Sequence, residues 1–228
     1  MQPDITKNLA TVKKLISEYE IKYKRPPGSV QLLAVSKAQS IENIREAINA
    51  GQKSFGENYL QEALEKISAL ASEKLEWHFI GPIQSNKTRK IAENFHWVHT
   101  VSNFKIAQRL NDQRPAQLPP LNICLQVNIS QEASKSGTTA EQIFELAEAC
   151  LTLPNLNLRG LMAIPAEKNI FTEQRAECHK LRVLEENLHA RGIKTDTLSL
   201  GMSGDLEAAI AENATLVRIG TKIFDFRQ

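Results

Sequence analysis

Cysteine is scarce in this chain and odd in number: Cys124, Cys150 and Cys178 stand far apart. That fits neither a disulfide framework nor the ligand spacing of a zinc site. All three are expected to be reduced core or helix-face thiols of a cytoplasmic protein. No apolar run approaches the ~18 residues of a membrane-spanning helix, so no membrane partner is expected. The start, Met1-Gln2-Pro3-Asp4, lacks the basic and then apolar order of a secretory signal. Net charge is only +2, too little to imply a polyanion. The cluster Lys87, Arg89, Lys90 reads as a solvated helix face, and no nucleic acid is expected. Low-complexity tracts and long linkers are missing as well. The one turn-rich insertion runs from Arg114 to Pro120.

What is present is an alternation. Apolar runs at 30–36, 53–55, 76–80, 97–101, 121–128, 157–163, 196–200 and 215–219 read as strands. Several are rich in Val, Ile and Leu without polar alternation, as suits parallel strands covered by helices on the outside. Amphipathic stretches lie between them. Ile5, Leu9, Val12, Ile16 and Tyr19 form a stripe ahead of the first strand. Ser40 and Asn103 are placed to cap helices, and a long polar-faced stretch spans 168–191. Eight such repeats predict an α/β fold, a closed (β/α)8 TIM barrel, with residues 1–228 forming a single domain preceded by an N-terminal helix. A doubly wound open sheet is the alternative. It would want a Gly-x-Gly-x-x-Gly turn after the first strand, and none is there.

In a barrel the functional residues sit just past the C-terminal strand ends. The first strand ends on Lys37. An amine at the edge of an apolar interior is more easily held neutral, and a neutral amine attacks carbonyls. The plain alternative is a solvated lysine that marks the surface. After the seventh strand, Gly201-Met202-Ser203-Gly204 runs into a short helix, and Gly220-Thr221 follows the eighth. Small residues and helix starts present backbone N–H groups to an anion, here a phosphate. Each turn alone could merely cap a helix; both at the same barrel end as Lys37 point to a ligand. A carbonyl-reactive lysine with a phosphate cradle admits a sugar phosphate, as in a class I aldolase, or pyridoxal 5′-phosphate. Arg218 shares the inward face of the last strand with Leu216 and Gly220. A guanidinium suits an unprotonated pyridine nitrogen, which favours pyridoxal phosphate.

The motifs Leu33-Ala34-Val35-Ser36-Lys37, Phe55-Gly56-Glu57-Asn58-Tyr59, Trp77-His78-Phe79-Ile80-Gly81 and Val217-Arg218-Ile219-Gly220-Thr221 then make a resemblance visible. Together with Ser134-Lys135-Ser136-Gly137 and Leu200-Gly201-Met202-Ser203, they resemble the single-domain pyridoxal phosphate homeostasis proteins over nearly the whole chain. That family is similar to the barrel domain of bacterial alanine racemases. The resemblance implies that Lys37 holds the cofactor as a Schiff base. It implies that Ser203, Gly220 and Thr221 bind the phosphate, that Arg218 faces the pyridine nitrogen and that Asn58 lies near the ring. His78 and Met202 would line the pocket, although His78 could equally be a hydrogen-bonded core histidine. Lys87 and Lys135 fit the family pattern without a derivable role. The chain departs from the pattern after Thr221, with Lys222 and Asp225.

In the racemases the group opposite the lysine is a tyrosine from a second domain that also builds the dimer. The tyrosines here, Tyr19, Tyr23 and Tyr59, lie on a helix or beside the Gly-Glu-Asn loop, and the chain stops a few residues after Thr221. The expected function is therefore to bind pyridoxal phosphate and to buffer or deliver it, in a monomer that serves apo-enzymes, with no robust catalysis. A pyridoxal phosphate-dependent amino-acid racemase is the alternative.

Overall fold

The eight strands are short, and each runs beneath a helix that supplies its apolar cover. The computed structural model describes residues 3–130, 132 and 136–224. Its strands are β1 (Gln31–Val35), β2 (Ser54–Glu57), β3 (Glu76–Phe79), β4 (Trp97–Val101), β5 (Leu121–Gln126), β6 (Leu156–Met162), β7 (Thr197–Ser199) and β8 (Leu216–Ile219). They pair in parallel in sequence order, and β1 closes on β8 with Leu33 opposite Arg218. The helices are α1 (Ile5–Lys22), α2 (Ile41–Asn49), α3 (Leu60–Ala69), α4 (Thr88–Asn94), α5 (Phe104–Gln113), α6 (Ile143–Leu151), α7 (Phe171–Ala190), α8 (Leu206–Ala211) and α9 (Thr221–Phe224). The expected barrel, with α1 ahead of it, is the observed one.

Local chemistry explains the element ends. Ser40 and Asn103 accept hydrogen bonds from the N–H groups of Asn43 and Ile106, as their positions predicted. Strand β2 runs two residues past the expected Phe55, because Gly56 and Glu57 stay in register with His78 and Phe79. Strand β5 ends before the expected Asn128, because the Asn128 N–H turns to the Thr138 carbonyl while Val127 still donates to the Met162 carbonyl at the end of β6. The insertion at 114–120 is organised by Arg114, whose guanidinium donates to the carbonyls of Ala92, Phe95 and Pro119.

The main apolar core lies between strands and helices, where Ala34, Phe55, Trp77, Phe79, Val98 and Ile123 meet stripes such as Ile5, Leu9, Val12 and Ile16 of α1. Inside the barrel, Trp97, Cys124 and Met162 form a small separate apolar cluster, and Leu33 and Leu216 are buried there too. Arg159 stacks on Trp97 at 4.7 Å and pairs with Asp196 at 2.8 Å, closing the N-terminal end. All three cysteines are buried and free, and burial pushes each thiol up to about 12.

Candidate cofactor site

A cavity of about 320 Å³ opens at the C-terminal ends of the strands, where β1, β8 and the loop after β7 converge. Its wall includes Lys37, Asn58, Arg218 and Met202, and, from the two glycine turns, Ser203, Gly220 and Thr221. Seven of the eight residues expected from sequence thus meet in one pocket. His78 does not join them. It is 1% exposed, its Nδ1 lies 2.9 Å from His99 Nε2, and its ring stacks on Trp97, as the core alternative had it.

Lys37 stands exposed at the pocket edge, not in the barrel interior. Its merit is therefore its position opposite the cradle rather than desolvation. A Cβ built at Gly56 would touch Leu33 and Ile80, and one at Gly220 would lie 3.3 Å from Val35 Cβ, so Leu33 and Val35 face inward.

The cradle is built by backbone. Gly201 has φ +102°, and a Cβ there would fall 2.6 Å from the Ala209 Cβ of α8, so only glycine lets the chain turn this close to the helix. Asp205 Oδ1 accepts from the Met202 N–H at 2.6 Å and fixes the turn. Gln174 donates to the carbonyls of Lys168 and Gly204, tying the β6–α7 loop to it. At the second turn the Gly220 carbonyl accepts from the N–H groups of Ile223 and Phe224. That leaves Thr221 in the first turn of α9, where N–H groups lack an intrahelical acceptor. Helix α8 itself is gripped from the end of α1 and the turn after it, by Lys22 and Tyr23 on Glu207 and by Arg25 on the Ile210 carbonyl.

Arg218, 5% exposed, is the floor. Among the described residues no carboxylate pairs with it directly: it donates to Ser199 Oγ and O at 2.7 Å and to the Ala163 carbonyl at 2.9 Å. Burial lowers its guanidinium to about 10, which leaves it charged at neutral pH. These three bonds, among the described residues, leave part of its five-donor capacity for a ligand.

Beneath Arg218 runs a polar chain that sequence reasoning missed. Ser199 Oγ accepts from Arg218, lies 2.8 Å from His99 Nδ1, and His99 leads on to His78. His78 Nε2 then points at Glu76 Oε2, 3.7 Å away and too far for a direct hydrogen bond. Glu76 also accepts from Trp97 Nε1 at 2.6 Å, and His78 above all holds its carboxyl down to about 2. Because a guanidinium only donates and a carboxylate only accepts, one direction suits both ends: Ser199 donates to His99 and His99 Nε2–H to His78 Nδ1. The signal in sequence was the inward alternation of His78 and His99, legible only once strand pairing is known.

Burial holds both imidazoles below their ordinary value, His99 well below. The unfolded chain therefore takes up these protons first. Their contribution to stability is complete above about pH 6.5 and is lost as pH falls toward the lower folded-state values. The unfolding free energy from urea titrations should decline between pH 7.5 and 5.5, by up to ~1.4 kcal/mol per pH unit for each histidine. Burial raises Glu57 and Glu185, which act in the opposite sense. The comparison with His99→Asn isolates the imidazole part: the variant should show the flatter slope, and equal slopes would refute the assignment.

Residues 8–227 match the alanine racemase N-terminal domain family. The chain belongs to that family. Within it, the chain is 57% identical over 223 residues to the pyridoxal phosphate homeostasis protein of Pseudomonas aeruginosa, covering 98% of this chain and 96% of that one. It is 54% identical to the protein of the same name from Vibrio alginolyticus, over 98% of this chain and 97% of that one. The chain is therefore a member of the pyridoxal phosphate homeostasis branch. The PipY structure of Synechococcus elongatus with pyridoxal phosphate bound is 34% identical, with a TM-score of 0.84 over 96% of this chain and 99% of that one. An alanine racemase from Clostridium difficile shares the fold alone, at 13% identity and a TM-score of 0.79, over 96% of this chain and 56% of that one.

Among family-pattern residues without a derived role, Lys87 is exposed just ahead of α4 and outside the pocket wall. Lys135 and Asp225 lie outside the described residues. Sequence reasoning missed Gln39 and Ile164 in the wall, while Ile80, in the stretch past the third strand, is there. Ile164 stands in a loop that no periodicity marks.

Proposed function

We propose that this chain binds pyridoxal 5′-phosphate through Lys37 and holds it for buffering or delivery. The observation that carries the reading is the convergence, on one pocket, of an accessible lysine, two backbone turns fit for a phosphate and a buried guanidinium. The pocket suits this group on three counts. A Cβ at Gly220 would crowd Val35. Asn58 Oδ1 is buried with no hydrogen-bond partner among the described residues, ready for a donor on the ring. Arg218 can donate to a pyridine nitrogen and so disfavour its protonation.

Pyridoxal phosphate supplies an aldehyde that condenses with a primary amine, losing water, and hydrolysis reverses the bond. Lys37 provides that amine, Ser203 and Thr221 the phosphate donors, and Arg218 the partner of the ring nitrogen. Carrier rather than enzyme is supported by the wall itself. Among the described residues it contributes Lys37 but no tyrosine, histidine, cysteine or carboxylate to serve as a second acid or base. The same reading has a monomer in the cytoplasm handing the cofactor to apo-enzymes, and the buried thiols suit a reducing compartment.

The test is the visible spectrum before and after borohydride reduction, with mass mapping of the modified lysine. The expected adduct sits on Lys37 and is missing from Lys37→Ala. An adduct elsewhere, or a colourless protein as an aldolase-like lyase would give, overturns the reading. Lys37-dependent turnover of L-amino acids would favour the racemase alternative.

A further inference from the structure

Behind Lys37, on the outer side of the barrel, lies a charged cluster that the pocket does not use. Lys66 of α3 is 4% exposed, and Glu57 at the end of β2 is fully buried. Lysine is rarely buried so deeply without a specific set of partners. The three donors of the Lys66 ammonium are spent on three acceptors: Glu57 Oε1 at 2.7 Å, Glu62 Oε1 at 2.5 Å and the Ser36 carbonyl at 2.6 Å. Glu57 Oε1 also accepts from Ser36 Oγ at 2.6 Å, and Glu62 Oε1 accepts from the Ala38 N–H at 2.7 Å.

Ser36 and Ala38 are the two chain neighbours of Lys37. One carboxylate holds each, and a single ammonium holds both carboxylates. The segment needs such restraint. Strand β1 ends at Val35, and Ala38 has φ +59°, a left-handed conformation that costs a non-glycine residue about 1 kcal/mol or more. Without Glu62 on its N–H, that residue would relax toward ordinary backbone angles and swing the Lys37 Cα–Cβ direction. Glu57 also adjoins Asn58 of the wall, and its carbonyl accepts from the Ile80 N–H, whereas Glu62 reaches the pocket only through Lys66 and the Ala38 backbone.

We propose that Lys66, Glu57 and Glu62 are positioning residues for Lys37: a clamp on Ser36 and Ala38 that aims the amine across the pocket at the ligand held by the cradle. The inference rests on the reading of Lys37 as the attachment point. It predicts that the clamp governs covalent attachment and leaves recognition of phosphate and ring untouched. Hydrophobic burial at the site would not make that separation.

Two ligands separate the effects. Pyridoxal 5′-phosphate attaches to the amine, whereas pyridoxamine 5′-phosphate has the same ring and phosphate but no aldehyde. Glu62→Ala removes the acceptor at Ala38 from a partly exposed site, and Lys66→Met removes the hub. Both variants are loaded with pyridoxal phosphate, and the Lys37 adduct is trapped with borohydride over time and mapped by mass. In each folded variant attachment should slow by at least roughly tenfold, the scale set by misplacing a reacting group. Affinity for pyridoxamine phosphate should stay within about twofold of wild type. Glu62→Gln, which keeps the oxygen that Ala38 needs, should recover most of the rate. Unchanged attachment in Glu62→Ala overturns the clamp, as does a parallel loss of pyridoxamine phosphate affinity. A wild-type protein that forms no adduct at Lys37 instead overturns the function proposed above, and the clamp with it.

Discussion

Arg218→Met should lower the unfolding free energy by about 2–4 kcal/mol, even without any ligand. The side chain bridges three strand ends at the mouth, from β8 to Ser199 of β7 and to Ala163 just past β6. That seam is thin. Strand β7 has three residues and meets β8 at one register position, Ser199 opposite Leu216. Removing the guanidinium leaves the buried Ala163 carbonyl short of a donor, at roughly 1–3 kcal/mol, and strips a charge-assisted bond from Ser199, whose carbonyl keeps the Ala163 N–H at 3.3 Å. Relief of a buried cation offsets part of this. Arg218→Lys should not restore the loss, because a compact ammonium cannot reach acceptors on two strands in one plane. Urea unfolding at pH 7.5 measures the effect. A loss below about 1 kcal/mol would mean that desolvation of the cation cancels its bonds.

Gly201→Ala should be comparably severe and should also damage the cradle. The added methyl meets Ala209 Cβ at 2.6 Å while the backbone stays at φ +102°. Backbone strain contributes about 1–2 kcal/mol, and overpacking against α8 adds about 1–3 kcal/mol. Helix α8 must move outward, carrying Ser203 and Gly204 with it. Affinity for pyridoxal phosphate should fall by at least about tenfold, equivalent to ~1.4 kcal/mol. Gly204→Ala is the internal control for stability. A Cβ there meets nothing within 4 Å, and its melting temperature should stay near wild type. Equal destabilisation by both substitutions would contradict the packing argument.

The barrel was legible in the sequence because its strands are buried on both faces and its helices carry clean stripes. Helix α4 was the exception. Its buried apolar residues are only Ile91 and Ala92, too few to show a period. Pocket residues on turns were legible through their chemistry: Lys37 at a strand end, glycines before helix starts, Arg218 on an inward register. What could not be read were partnerships between elements. Glu57 was visible as part of a motif, and Lys66 as one more lysine on an amphipathic helix. Only the fold shows that both serve Ser36. Likewise His78 reads as a pocket residue or a core residue with equal ease until His99 and Ser199 are seen beside it.

Barrel closure also sets an order on synthesis. Lys37 leaves the ribosome well before residues 201–221, which carry the two glycine turns. The strand that completes β1 is β8, and Asn8 of α1 donates to the Ile223 carbonyl of α9. On the proposed function, a nascent chain would carry its attachment amine long before it had anywhere to seat a phosphate. Aldehydes met in that interval would find an ordinary lysine, and selectivity for a phosphorylated one would begin only when β8 zips into β1.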